Sequence, residues 1–333
     1  METDKFTPEQ YMYMEKQKLS PEQLEQRIQY IIDYVKMGRV PSSNPVAVIV
    51  GGQPGAGKSG VIGNSVIKLD SNCVVVDNDE YRKHHPNVEE INSVHPEIYT
   101  ECTDQLSFAA TPRVIASMID GRYNMVIHQT LKNDTIIKCA IADLMKAGYT
   151  VIVRALAVSE LKSNLSMIGR CQDQLATDDT CRWVPQENHD YAYRGLPETV
   201  GHIEEQGAYH LLEVLTRQEN QPENPNVVYR RRNPLIDDYH LQALAEHGFG
   251  EPNLTKFGSA RNAVIIGRQQ DFEEILPRAQ KKIDEAKAVA KTPEEFIRIK
   301  RVEDELLMTA LRTNVAKKTD PSDPEGPTGP SSN

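Results

Sequence analysis

The hydrophobic positions along the chain fall into two alternating periods. Short apolar runs occur at Val46–Val50, Cys73–Val76, Met125–Ile127 and Val227–Tyr229, and a longer one at Thr150–Val158 is interrupted by Arg154. Runs this short, rich in β-branched residues and bounded by polar turns, predict strands buried on both faces. Between them the apolar residues recur at helical spacing. Val114, Ile115, Met118 and Ile119 predict a helix closing at Gly121, and Ile136, Ile137, Ala140, Ile141, Leu144 and Met145 predict another ending near Gly148. Leu161 to about Gln174 predicts a further helix. Strand alternating with helix at this spacing predicts an α/β fold: a parallel sheet flanked by helices.

The flanking regions read differently. Thr7-Pro8-Glu9-Gln10 and Ser20-Pro21-Glu22-Gln23 are helix-start signatures, each a hydroxyl cap with Pro at the first position and Gln at the third. After the second, Leu24, Ile28, Ile31, Ile32 and Val35 share one face, expected to pack on the sheet edge. A long helix is predicted from Pro197 through Leu211, Leu212, Val214 and Leu215. The stretch from Pro234 to Ser259 lacks periodicity, and Asn262–Ile266 fits either a short strand or a helix start. Two charged helices are predicted at about Phe272–Ala290 and Thr292–Asn314. The tail, residues 319–333, is Pro, Gly, Ser and Asp without apolar residues, which predicts disorder. The expected organisation is N-terminal helices packed on the core (1–45), a nucleotide-binding core (46–233), a helical C-terminal extension (234–318) and the tail.

The chemistry begins at the first strand. Gly52-Gln53-Pro54-Gly55-Ala56-Gly57-Lys58-Ser59 fits G-x-x-x-x-G-K-[ST], and it sits between a buried strand and a helical pattern, as a P-loop requires. The glycines let successive backbone N–H groups from Gln53 to Ser59 converge on one anion. Lys58 is expected to neutralise the β- and γ-phosphates, and the Ser59 hydroxyl to ligate Mg²⁺. A nucleoside triphosphate with Mg²⁺ follows. The second strand runs into Asp77-Asn78-Asp79-Glu80-Tyr81-Arg82. Carboxylates there lie at the carboxyl end of the sheet, where ligands of open α/β folds gather.

Together, the P-loop, Val76-Asp77-Asn78-Asp79 about twenty residues on, and Arg82 with His85-Pro86-Asn87 resemble the zeta toxin family. The resemblance runs from about Val46 to His189. It implies a P-loop kinase that phosphorylates UDP-N-acetylglucosamine. It also implies Asp79 as catalytic base facing the acceptor hydroxyl, Arg82 and Thr130 near the substrate, and Arg170 and Arg182 on the ATP polyphosphate. An aspartate is a weak base near neutrality, so Asp79 is expected mainly to orient the hydroxyl and take its proton late. A small helical antitoxin covering the ATP site is the implied partner.

Departures concern the acceptor. Family members carry Glu-Gly-Thr after the third strand, whereas this chain has His128-Gln129-Thr130; a second family glutamate falls at or beside Pro112. An imidazole does not offer a carboxylate's charge or its acceptor count. His128 and Thr130 therefore stand as substrate-binding candidates, with another UDP-sugar, a nucleoside or NAD as alternative acceptors. A catalytically silent nucleotide-binding protein is the remaining alternative.

Composition adds limits. The 333-residue chain is 26% charged and 39% hydrophobic with a formal net charge of −10, which argues against a nucleic-acid binder, whose affinity rests on phosphate neutralisation. No apolar run suggests a membrane span and the first residues carry no signal pattern, so a cytoplasmic location is expected. Five cysteines without C-x-x-C spacing read as reduced thiols without zinc. Arg230-Arg231-Arg232 reads as a solvated strand end.

Overall fold

The computed structural model describes residues 6–177, 183–218 and 224–318. Helices α1 (Pro8–Gln17) and α2 (Pro21–Lys36) precede strand β1 (Val46–Gly51) and helix α3 (Lys58–Lys68). Next come β2 (Val74–Val76), the one-turn helix α4 (Asn78–Tyr81), α5 (Val88–Val94) and the long α6 (Tyr99–Asp120). Strand β3 (Met125–Gln129), α7 (Asp134–Lys146), β4 (Thr150–Leu156), α8 (Glu160–Thr177) and α9 (Gln186–Gln206) continue the alternation. Two strands, β5 (Leu211–Thr216) and β6 (Asn226–Arg232), and three helices, α10 (Asp238–Glu246), α11 (Ala260–Val289) and α12 (Pro293–Lys318), follow among the described residues.

The six strands form one sheet in the order β2-β3-β1-β4-β5-β6. The first five run parallel and only β6 is antiparallel, paired with β5. Every residue of β1 and β4 is buried, because helices cover both faces. Strand alternation divides the side chains between two cores. Ala47, Ile49, Ile127, Val153 and Val214 meet α2, α6, α7, α9 and the start of α11 on one face. Val46, Val48, Val50, Ile152 and Leu215 meet Val61 of α3, Leu244 of α10 and Phe249 on the other. Each such aliphatic side chain contributes about 1.5–3 kcal/mol on full burial. α2 packs against α6 and against the edge strand β2, as its apolar stripe predicts, and both N-terminal capping boxes form.

Three expectations change, and the open alternative at Asn262–Ile266 resolves to a helix start. Leu211–Thr216 is a strand, not the end of a helix. Its Leu-Leu-x-Val-Leu spacing fits either period, and the helix is ended upstream by Gly207 in the left-handed region (φ 63°), whose N–H bonds back to Glu204 O. Asp238–Glu246 is helical, started by the Asp237 side chain accepting from His240 N at 2.9 Å. Asn262–Ile266 belongs to α11, a single 30-residue helix that begins at the Ser259 cap and continues through Pro277. Finally, Cys171 is disulfide-bonded, while Cys73, Cys102 and Cys139 are free. Counting and spacing of cysteines do not reveal which come together in space. The tail at 319–333 and Arg182 lie outside the described residues.

Helices α11 and α12 pack on α8 through Ile168, Ile275, Ile283, Ile299 and Val302. This matters for the site, since α8 also carries Arg170. Among the described residues no helix is long and apolar enough to cross a membrane.

Candidate functional site

The loop after β1 turns on two glycines. Gly55 and Gly57 adopt φ 78° and 89°, which side chains rarely tolerate, and a Cβ at Gly55 would sit 2.1 Å from the Ser163 carbonyl oxygen. Beyond it, α3 starts with no side-chain cap on its first N–H groups, so they face an incoming anion together with the helix dipole. Ala56 N closes the loop on Gln53 O at 3.2 Å. Gln53 is fully buried and donates to Val158 O at 2.8 Å, tying the loop to the end of β4, while Pro54 is half-buried beside it.

Lys58 is buried, and its ammonium donates to Gly52 O at 2.8 Å and Gln53 O at 3.0 Å. Burial pulls its pKa down to about 8, with Asp77 and Asp79 opposing and Arg170 adding to the fall. Lys58 is thus folded onto its own loop within electrostatic reach of both aspartates, poised for phosphate oxygens. Ser59 is exposed on the first turn of α3. Among the described residues no group of three His, Cys, Asp or Glu side chains could hold a metal by itself. A Mg²⁺ ion that keeps its waters and binds through one hydroxyl and the nucleotide phosphates fits that donor set.

The acidic turn after β2 is the second half of the site. Asp77 caps α4, its Oδ1 accepting from Asp79 N at 3.0 Å. Strand pairing sets Val76 opposite Ile127, which brings the next residues, Asp77 and His128, side by side. His128 Nδ1 lies 2.8 Å from Asp77 Oδ2, with side chains 26% and 21% exposed. Burial pushes the Asp77 carboxyl up, but the His128 hydrogen bond and charge, the Asp79 N–H and Lys58 together bring it below the ordinary value.

Asp79 is exposed on its turn and accepts from Arg82 Nε at 2.9 Å. Arg82 is only 4% exposed; its guanidinium also meets Asp104 of α6 at 2.7 Å, Thr100 O at 2.9 Å and Thr103 Oγ1 at 3.2 Å. Arg82, expected near the substrate, is thus a buried guanidinium that holds the exposed Asp79 carboxylate. Asp104 had no signal of its own in the sequence. It is an acid on the helix before β3, about two turns ahead of Pro112, and becomes recognisable only through Arg82. Thr130 is half-buried just past β3.

On the other side of the P-loop, Arg170 is exposed on α8 and lines a cavity of about 730 Å³ between α8 and α11. Lys162, Ser166, Arg217 and Lys282 supply further polar groups, and Leu165, Ile168, Ile275 and Ala286 supply apolar walls. Arg217 follows β5, donates to Ser166 Oγ at 2.8 Å, and lies so near Gly57 that a Cβ there would meet its Cδ at 3.0 Å. Sequence reasoning missed it because β5 was expected as helix, which hid a strand-end position. Lys162 is held by Asp271 of α11 at 2.8 Å.

Residues 32–233 match the family Zeta toxin. The chain belongs to the zeta toxin family. Curated relatives are distant: Toxin zeta of Enterococcus hirae is 26% identical over 195 residues, 58% of this chain and 68% of its own length. Toxin PezT of Streptococcus pneumoniae serotype 4 is 25% identical over 181 residues, covering 54% of this chain and 72% of its own. A solved structure from the PezAT toxin–antitoxin system of Streptococcus pneumoniae is 20% identical, with a TM-score of 0.56 over 78% of this chain and 98% of that one. That likeness shows the fold: the mostly parallel six-stranded sheet with its C-terminal helices is the zeta toxin kinase fold.

Proposed function

We propose that this zeta toxin family member transfers the γ-phosphoryl group of ATP to a hydroxyl of UDP-N-acetylglucosamine or a related UDP-sugar. The observation that carries the reading is the joint position of Lys58 and Asp79. The phosphate-binding lysine of the P-loop feels the charge of a carboxylate at the end of β2, so a phosphate and an acceptor hydroxyl have adjacent places. Phosphoryl transfer asks mainly for such positioning and for charge neutralisation.

In this reading the P-loop N–H groups and Lys58 take the β- and γ-phosphates, and Arg170 and Arg217 flank the nucleotide in the α8–α11 cavity. Arg182 retains its expected role on the polyphosphate. Ser59 would hold Mg²⁺, which when bound neutralises charge on the β- and γ-oxygens. Asp79, fixed by Arg82, orients the acceptor hydroxyl. Thr130 and His128 face the same end of the sheet and contact the acceptor. The relatives' toxin names support a toxin role with a small helical antitoxin as partner.

His128, where the family has an acid, favours a second reading in which the acceptor is a nucleoside or NAD. Incubating the protein with ATP, Mg²⁺ and a panel of UDP-sugars, nucleosides and NAD, with products read by mass spectrometry, separates the readings. A phosphorylated UDP-sugar supports the first, and a phosphorylated nucleoside or NAD alone supports the second. Consumption of no acceptor sinks both.

A further inference from the structure

We infer that His128, oriented by Asp77, accepts the proton of the attacking hydroxyl, so that the acceptor side of this site works with a carboxylate–imidazole pair. The inference rests on the kinase reading above and deepens it. Its starting point is the 2.8 Å contact between His128 Nδ1 and Asp77 Oδ2. A carboxylate at that distance fixes the tautomer with the proton on Nδ1 and leaves the Nε2 lone pair to accept.

The placement is set by the sheet. His128 pairs with Val50, two residues ahead of Gly52 where the P-loop motif begins, and Asp77 closes the neighbouring strand within electrostatic reach of Lys58. The imidazole remains about one quarter exposed, so a ligand reaches it. Nε2 has no hydrogen-bond partner among the described residues, whereas Asp79 Oδ1 already accepts from Arg82.

The acceptor oxygen forms its bond to Pγ as the bond from Pγ to the bridging oxygen breaks, and ADP leaves with that electron pair. The hydroxyl proton passes to His128 Nε2, and the resulting imidazolium is stabilised by the Asp77 carboxylate until solvent takes the proton. Asp79 then serves to hold the hydroxyl in line.

His128→Asn separates this role from a structural one, because the Asn amide can keep the donor to Asp77 while removing the Nε2 acceptor. Phosphoryl transfer is measured with ATP and UDP-N-acetylglucosamine, or with whichever panel acceptor the wild type phosphorylates. ATP affinity and thermal melting are measured alongside. The expected result is a fall in kcat of about 10²-fold or more, unchanged ATP affinity and melting, and partial recovery with added imidazole. A kcat at the wild-type level overturns the inference, as does a loss that comes with equally weakened ATP binding or with early melting. A wild type that phosphorylates no acceptor overturns the kinase reading itself, and the inference falls with it.

Discussion

Arg82 reaches two carboxylates from one buried position: its Nε lies 2.9 Å from Asp79 Oδ1 and its Nη1 lies 2.7 Å from Asp104 Oδ1. The guanidinium is buried while the Asp79 side chain is 60% exposed, so the arginine is the fixed member and the aspartate the presented one. Arg82→Ala is expected to release Asp79 and to leave Asp104 without its cation. Charge-assisted hydrogen bonds contribute about 1.5–3 kcal/mol each, less where the partner is solvated. A loss of about 2–3 kcal/mol in urea unfolding and a drop in kcat are expected. Arg82→Lys should recover part of the stability and little of the kcat, since an ammonium does not span both acids.

Asp79→Asn keeps the shape of the side chain and removes its charge. Transfer to the acceptor should fall by about 10²-fold, as for loss of the group that holds the hydroxyl in line, while ATP affinity, measured by calorimetry, stays near the wild-type value. ATP affinity falling in step with turnover would contradict a role confined to the acceptor side.

Arg217 flanks Gly57 and is anchored on Ser166. Arg217→Ala is expected to weaken ATP binding by about 10–100-fold, as for loss of one charge-assisted contact to phosphate, with a smaller effect on kcat at saturation. An unchanged Kd for ATP would remove Arg217 from the nucleotide site.

Lys58 carries a pKa lowered to about 8 by burial, with Asp77 and Asp79 opposing. Its folded pKa lies below the unfolded value near 10.5, so between about 8 and 10.5 the unfolded chain binds the extra proton, and this residue's contribution to stability rises with pH. ATP binding reverses the balance, because phosphate favours the ammonium. ATP affinity should therefore weaken above pH about 8, with proton uptake on binding detected by calorimetry in buffers of different ionisation enthalpy. A Kd flat from pH 7 to about 9.5 would contradict this.

Glu305 on α12 shows the opposite sign. Burial and the neighbouring Glu160, partly offset by Asn164 and Arg301, together raise its pKa to about 8. The folded state binds the extra proton between about 4.5 and 8, so stability falls as pH rises through that window, by up to about 1.4 kcal/mol for each pH unit. Glu305→Gln should abolish that slope and melt higher than the wild type at pH 8. Identical melting profiles from pH 5 to 8 would refute the assignment.

Much of the molecule was legible in the order of its residues. The apolar run at Val46–Val50 followed by Gly52–Ser59 specifies a strand, a phosphate loop and a helix, because local backbone chemistry leaves few other outcomes. The alternation of strand and helix determined a parallel sheet, and the capping boxes at Thr7 and Ser20 determined where α1 and α2 begin. These features depend on contacts within a few residues.

Long-range contacts decided the rest. Leu211–Leu215 satisfies both helical and extended periods, and only pairing with β4 and β6 makes it a strand. The same pairing gives Arg217 its place beside the P-loop. Asp77 and His128 are 51 residues apart and meet because β2 and β3 are neighbours. Arg82 reads in the sequence as a ligand-binding cation, and the packing of α6 adds Asp104 as a partner that no local pattern announces. Sequence pattern carries the period of each element, whereas the identity of a side chain's partner depends on which elements the buried sheet sets side by side.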